Sequence, residues 1–127
     1  MPEKHLYEYA VIRVVPRVER EEFINIGLLL FCKQKKYLRI AHQIPVEKIK
    51  LLCTDFDIEQ LETNLTSFTK ISAGDSNAGP IAAFETAERF RWLTAVRSSS
   101  IQTSRPHPGF SNDLDKTFDK LYAELVL

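Results

Sequence analysis

The sequence predicts an α+β fold, a small and mainly antiparallel sheet of about four strands with helices packed on one face. Three observations lead there. Strand-like segments crowd the first third of the chain, at residues 6–15, 26–32 and 37–42. Helical periodicity then runs through the middle, and a further β-compatible stretch at 98–104 precedes a strongly amphipathic segment at 112–127. Strands followed by helices, without strict alternation, indicate an antiparallel sheet rather than parallel crossover units. A chain of 127 residues is expected to form a single domain over 1–127, large enough to bury roughly two-thirds of its unfolded surface.

Residues 6–15 are rich in aromatic and β-branched side chains and stop at Pro16, as a strand does where the ladder donor is lost. Period two places Ala10, Ile12 and Val14 on one face and Tyr7, Tyr9 and Arg13 on a more polar one. Residues 26–32 are almost uninterruptedly apolar, the pattern of a central strand buried on both faces. Gly27 inside that run marks a bulge or the close approach of another backbone. The Lys33-Gln34-Lys35-Lys36 turn is a solvated hairpin tip leading into 37–42.

Helices follow. Pro45 introduces a short amphipathic segment at 46–53, and Asp57-Ile58-Glu59-Gln60 resembles a capping box that opens a helix with the stripe Ile58, Leu61, Leu65, Phe68 and Ile71. Small and polar residues at 72–79 form a loop, and Pro80 suits the first position of a helix running to Leu93. In the last helix Leu114, Phe118, Leu121, Tyr122 and Leu125 form a stripe, with Asp113 and Asp115 where the helix dipole favours acids.

Charge is balanced overall, with 17 basic and 17 acidic side chains. That balance argues against a nucleic-acid coat, whose affinity comes from a basic excess. The charge is nevertheless segregated: between Arg89 and Asn112 stand four arginines and no acid, so the remainder sums to minus four. An anion-facing surface is expected there. Cys32 and Cys53 sit in apolar surroundings without a C-x-x-C pair and read as reduced core residues. With no secretory h-region and no apolar run of membrane-spanning length, a cytoplasmic protein without membrane contact is expected.

The usual catalytic and cofactor motifs are missing. There is no P-loop, no G-x-G-x-x-G and no H-E-x-x-H, and Asp55, Asp57 and Glu59 lack the glycine and glutamate spacing of a calcium loop. Ser99, His107 and Asp113 spell a Ser-His-Asp set, but without a nucleophile elbow. No cofactor, no metal and no catalytic residue is therefore assigned.

The most informative stretch is 89–109, which holds the single Trp, four arginines, a run of hydroxyls and a His bracketed by prolines. A guanidinium fork with neighbouring hydroxyls suits a phosphate or carboxylate. Arg97 and Arg105, at loop or strand ends, are the stronger candidates. Arg89 and Arg91 have an alternative use, pairing with Glu85, Glu88 or helix carbonyls while Trp92 packs in the core. Arg13, Arg97 and Glu22 are expected to form one polar cluster, functional or structural. His107 is expected to shape a turn or cap a helix.

Three segments together carry a family resemblance: Tyr7-x-Tyr9-Ala10-Val11-Ile12-Arg13, then Glu22-Phe23-Ile24-Asn25-Ile26-Gly27, then Arg89-Phe90-Arg91-Trp92-Leu93-Thr94-Ala95-x-Arg97-Ser98 with His107-Pro108-Gly109. They resemble an uncharacterised bacterial family of domains of unknown function. The resemblance implies no reaction or ligand; it does imply a HipA-like kinase as a partner. Taken with the residue chemistry, it makes Arg13, Glu22, Asn25, Arg91, Trp92, Arg97, Ser98, Gln102, Arg105 and His107 the candidate binding residues. The leading expectation is a non-enzymatic adaptor with an Arg/Ser/Trp surface facing an anionic partner. The alternative is a small enzyme or binding domain for a phosphorylated small molecule or nucleotide, which requires Arg13, Arg97, Arg105 and His107 to share one pocket.

Overall fold

Strands β1 (His5–Val14), β2 (Ile24–Cys32) and β3 (Tyr37–His42) form an antiparallel meander in the computed structural model, which describes residues 3–95 and 99–127. Helices α1 (Val46–Leu52), α2 (Ile58–Ala73) and α3 (Thr86–Leu93) follow. Strands β4 (Ile101–Thr103) and β5 (His107–Ser111) and helix α4 (Leu114–Leu125) complete the chain. The strand order is β3-β2-β1-β4, with β5 also on β1. The α+β class and the mainly antiparallel sheet are as the sequence predicts.

β4 and β5 share the outer edge of β1. β5 pairs with its first half, His5 to Tyr9, and β4 with Ile12 to Val14. Ser104 bridges the two: its N–H donates to the Val11 carbonyl (2.8 Å) and its hydroxyl accepts from the Val11 N–H (2.9 Å), so the ladder is not broken where the chain changes strand. β5 is a strand that the sequence does not announce, because Pro106, Pro108 and Gly109 argue against one. It forms because it is an edge strand, where a proline costs no inner ladder bond. His107, expected in a turn or cap, therefore sits in a strand opposite Tyr9.

The expectation that all helices lie on one face is corrected. Ile12, Val14, Leu29 and Phe31 pack with Leu61, Leu65 and Phe68 of α2 and Phe90 and Leu93 of α3. On the other face Val11, Leu28 and Leu30 pack with Phe118, Leu121 and Tyr122 of α4. The last helix thus covers the face its siblings do not, which is why β2 is apolar on both sides. An ionic clamp fixes it: Asp115 accepts from the Tyr37 hydroxyl (2.7 Å) and from Arg39 (3.3 Å), Arg39 also reaches Asp119 (3.3 Å), and the Arg39 guanidinium lies 4.1 Å over the Phe118 ring.

Gly27 meets both sequence expectations. The register slips between Ile12 and Arg13, so that Ile12 faces Gly27 and Arg13 faces Asn25, leaving Ile26 as the extra residue of a bulge. A Cβ on Gly27 would lie 2.8 Å from the Ala41 carbonyl oxygen. The bulge also reverses the alternation, which moves Asn25 onto the α4 face beside Arg13.

The helix signals hold with one interruption. The Asp57 carboxylate caps α2 by accepting from the Gln60 N–H (3.0 Å), and Gly74 closes it with φ 72°, a left-handed C-cap. Pro80 opens a short 3-10 turn, Pro80–Ala83, rather than one continuous helix to Leu93. Among the described residues, no helix is long and apolar enough to cross a membrane. Cys32 is buried, Cys53 partly so, and both are free thiols.

Candidate functional site

α3 brings the arginine-rich stretch to the edge of the α1–α3 layer, and its side chains separate by role. Arg89 turns back into the fold. Its guanidinium donates to the Ile71 (3.0 Å) and Ser72 (2.7 Å) carbonyls at the end of α2, to the Phe84 carbonyl (3.0 Å) and to the Thr86 hydroxyl (3.2 Å). A cation on the C-terminal carbonyls of a helix answers both their missing donors and the helix dipole. Arg89 is thus structural, as the helix-carbonyl alternative anticipated.

Arg91 and Trp92 are different. Both are exposed, and Trp92 keeps 39% of its surface in solvent rather than packing in the core. Trp92 forms one lip of an open cleft of about 230 Å³, lined also by Asn64, Ser67, Phe68, Ile71, Ser99 and Ile101. α2 supplies one wall and the segment entering β4 the other. None of the seven described lining residues is a His, Cys, Asp, Glu, Lys or Arg.

A second group forms across the sheet on the α4 face. Arg13 has Asn25 on one side, through β2, and Gln102 on the other, through β4. Three candidates therefore stand in one cross-strand row, with Cβ atoms about 5 Å apart. The Arg13 guanidinium lies 4.2 Å over the Phe23 ring, itself 48% exposed. Asn25 Nδ2 donates to the Leu125 carbonyl (3.2 Å) at the end of α4, and Gln102 Nε2 to the Ser99 carbonyl (3.1 Å). Two buried polar atoms in the row, Arg13 Nε and Asn25 Oδ1, have no hydrogen-bond partner.

The remaining candidates disperse. Glu22 pairs with Arg20, at the surface, and not with Arg13, so the Arg13–Glu22 contact expected from the sequence is not formed. Arg97 and Ser98, and with them the cluster expected around Arg97, lie outside the described residues. Arg105 is exposed in the link between β4 and β5. His107 stacks on Tyr9 with ring centroids 5.2 Å apart. Since Tyr9 and Arg13 are four residues apart on β1, His107 and Arg13 are separated by roughly 13 Å of strand. The His107 ring is turned against Tyr9 and the Arg13 guanidinium against Phe23, so the two side chains have different aromatic partners.

The Ser-His-Asp set is likewise not assembled: the Ser99 hydroxyl donates to the Ile101 carbonyl (2.7 Å), His107 stacks on Tyr9, and Asp113 caps α4 by accepting from the Lys116 N–H (3.1 Å). A polar depression of about 380 Å³ gathers His5, Lys35, Tyr37, Asp113 and Asp115, but its acids are already engaged with the α4 cap and with Tyr37 and Arg39. Burial and the Asp115 hydrogen bond push the Tyr37 hydroxyl up to about 12. Among the described residues, no three His, Cys, Asp or Glu side chains converge as metal ligands.

Sequence reasoning missed the row as a unit, because the bulge that brings Asn25 beside Arg13 leaves only a glycine as its trace. It also missed the cleft, since Asn64 and Ser67 read as ordinary exposed positions of an amphipathic helix. No curated protein and no solved structure matches the chain. Residues 9–126 match DUF3037, whose description is "protein of unknown function", and the chain belongs to that family.

Proposed function

We propose that this protein is a non-enzymatic adaptor that engages a protein partner through the Trp92 cleft. One observation carries the reading: an open, largely apolar cleft with an exposed Trp at its lip, whose described lining residues include no His, Cys, Asp, Glu, Lys or Arg. Its volume of about 230 Å³ falls below the usual range of small-molecule sites, about 300–1,000 Å³. It matches one large apolar side chain of a partner. Tryptophan and arginine are also the residues most often found to dominate protein–protein affinity.

The partner that the family resemblance favours is a HipA-like kinase. Arg91, without an ion pair among the described residues, is suited to a carboxylate or phosphate on the partner rim. The alternative reading, a small-ligand enzyme, asks for a common pocket around Arg13, Arg97, Arg105 and His107; Arg97 lies outside the described residues, and His107 and Arg13 are packed against the Tyr9 and Phe23 rings.

Calorimetric titration of a purified HipA-like kinase into the wild-type protein, Trp92→Ala and Ser67→Trp tests the proposal. Ser67→Trp fills the cleft from α2. Micromolar or tighter binding, lost at least tenfold in both variants, is expected. Equal binding by all three proteins rules out the cleft; no binding by the wild type rules out this partner.

A further inference from the structure

β5 is the outermost strand beside the first half of β1, and no described residue pairs with its free side. Which of its backbone groups face outward follows from Val11. On this edge Val11 donates its N–H to the Ser104 hydroxyl (2.9 Å), and its carbonyl accepts from the Ser104 N–H (2.8 Å). Alternation turns the backbone groups of Tyr9, Tyr7 and His5 the same way, so their partners His107, Gly109 and Ser111 are spent on β1. Pro108 and Phe110, between them, direct theirs to the free side. Pro108 has only a carbonyl to offer there, whereas Phe110 offers an N–H and a carbonyl.

The side chains on this edge are as incomplete as the backbone. Leu6 and Phe110 stand directly opposite each other, 50% and 68% exposed. By alternation along β1, Leu6 shares its face with Ile12 and Val14; α2 and α3 cover those two and leave the Leu6–Phe110 pair in solvent. A bare edge is a template for another strand, and proteins block such edges with charge or proline. Proline does so at 108, but position 110 carries an aromatic ring.

The backbone pattern selects the occupant. Beyond Ser111 the chain bends at Asn112 and crosses the end of the sheet towards β3, where Asp115 meets Tyr37 (2.7 Å). The usable edge is therefore short and centred on Phe110, the one outward residue with both a donor and an acceptor. A second copy, antiparallel and turned about a twofold axis through Phe110, matches it. The two Phe110 residues exchange both hydrogen bonds, and Pro108, which has no donor, falls opposite the other copy's Asn112, where the backbone has left the edge. The same pairing joins Leu6, Phe110 and their counterparts into one apolar row. We infer that β5 is the contact of a reversible homodimer, paired edge to edge about Phe110. An aromatic side chain buries about 150–250 Å², so two rings and two five-residue strands stay under the roughly 1,200 Å² below which complexes are weak and transient. The contact is independent of the Trp92 cleft.

Sedimentation equilibrium of the full chain between about 20 μM and 1 mM should give a monomer–dimer equilibrium with Kd of about 0.1–1 mM. Phe110→Lys places like charges opposite each other on the edge and should weaken the dimer at least tenfold. Trp92→Ala should dimerise as the wild type does, which separates this contact from the cleft. Backbone amide NMR over the same concentrations tests the contact without a substitution: the Phe110 N–H should shift and exchange more slowly as the dimer fills, ahead of residues in α2 and α3. A wild type that stays monomeric throughout overturns the inference and leaves the edge to a strand of another protein. A dimer that Phe110→Lys leaves intact, or that Trp92→Ala abolishes, overturns it too, as do concentration-dependent shifts centred away from β5.

Discussion

Arg89→Ala isolates the structural use of the arginine-rich stretch. The substitution removes four donated hydrogen bonds: two to the part-buried Ile71 and Ser72 carbonyls, one to the exposed Phe84 carbonyl and a longer, part-buried one to the Thr86 hydroxyl. A hydrogen bond from a charged donor contributes about 1.5 kcal/mol or more when buried. Discounting for partial exposure, the first two contribute about 1 kcal/mol each and the others about 0.3 kcal/mol each, with about 0.5 kcal/mol from the lost cation at the helix end. The expected loss is about 3 kcal/mol. For a chain of this size about 4 °C of melting temperature corresponds to 1 kcal/mol, so Tm should fall by about 12 °C. Urea unfolding should show a lower midpoint at unchanged slope, which marks a stability change rather than an altered unfolded state. Arg91→Ala, two residues on and exposed, should stay within about 0.5 kcal/mol of wild type. A loss below about 1 kcal/mol for Arg89→Ala, or equal losses for the two variants, would refute the assignment of Arg89 to the end of α2.

Gly27→Ala should be among the most damaging single substitutions, about 3 kcal/mol or more by urea unfolding, because the added methyl meets a backbone carbonyl that cannot rotate away. Burial lowers the His42 pKa, so its neutral form is the one the fold accommodates. Stability should therefore be intact above the unfolded value near 6.5 and decline as pH falls through it towards the folded value; His42→Gln should flatten the pH 7 to pH 5 difference in urea midpoint. The Tyr37 hydroxyl, pushed up to about 12 mainly by burial and then by Asp115, should ionise after an exposed phenol does. Stability from that group should be present below pH 10 and be lost between about 10 and 12, and Tyr37→Phe should remove the late step from the ultraviolet phenolate titration.

How much of this was legible in the sequence depended on whether the signal was local. The three N-terminal strands, α1, α2 with its Asp57 cap, and α4 were all visible, because periodicity, caps and proline stops lie within a few residues of the structure they specify. β5 was not, since Pro106, Pro108 and Gly109 are poor strand formers and only pairing with β1 makes them one. Glycine at 109 has its own tertiary reason: a Cβ there would overlap the Tyr7 ring from the neighbouring strand. The placement of α4 was also hidden. A stripe of Leu114, Phe118 and Leu121 shows that a helix has a buried face, but not which side of the sheet receives it.

The candidate site divides along the same line. Arg13, Asn25 and Gln102 were each identifiable as polar residues in strand-like or bulge-adjacent positions, yet their meeting depends on a one-residue slip in register. Removing from the motif segments every residue with a structural task sharpens what remains. Arg89 caps α2, Gly27 admits the Ala41 carbonyl, Gly109 admits Tyr7, His107 stacks on Tyr9, and Glu22 is paired with Arg20. None of these needs a ligand to account for its identity. What remains is Arg91, exposed on α3, and Arg13, whose Nε is buried without a partner among the described residues. The Trp92 cleft and the Arg13 row lie on opposite faces of the sheet, and Ser99 touches both: it lines the cleft, and its carbonyl accepts the Gln102 hydrogen bond.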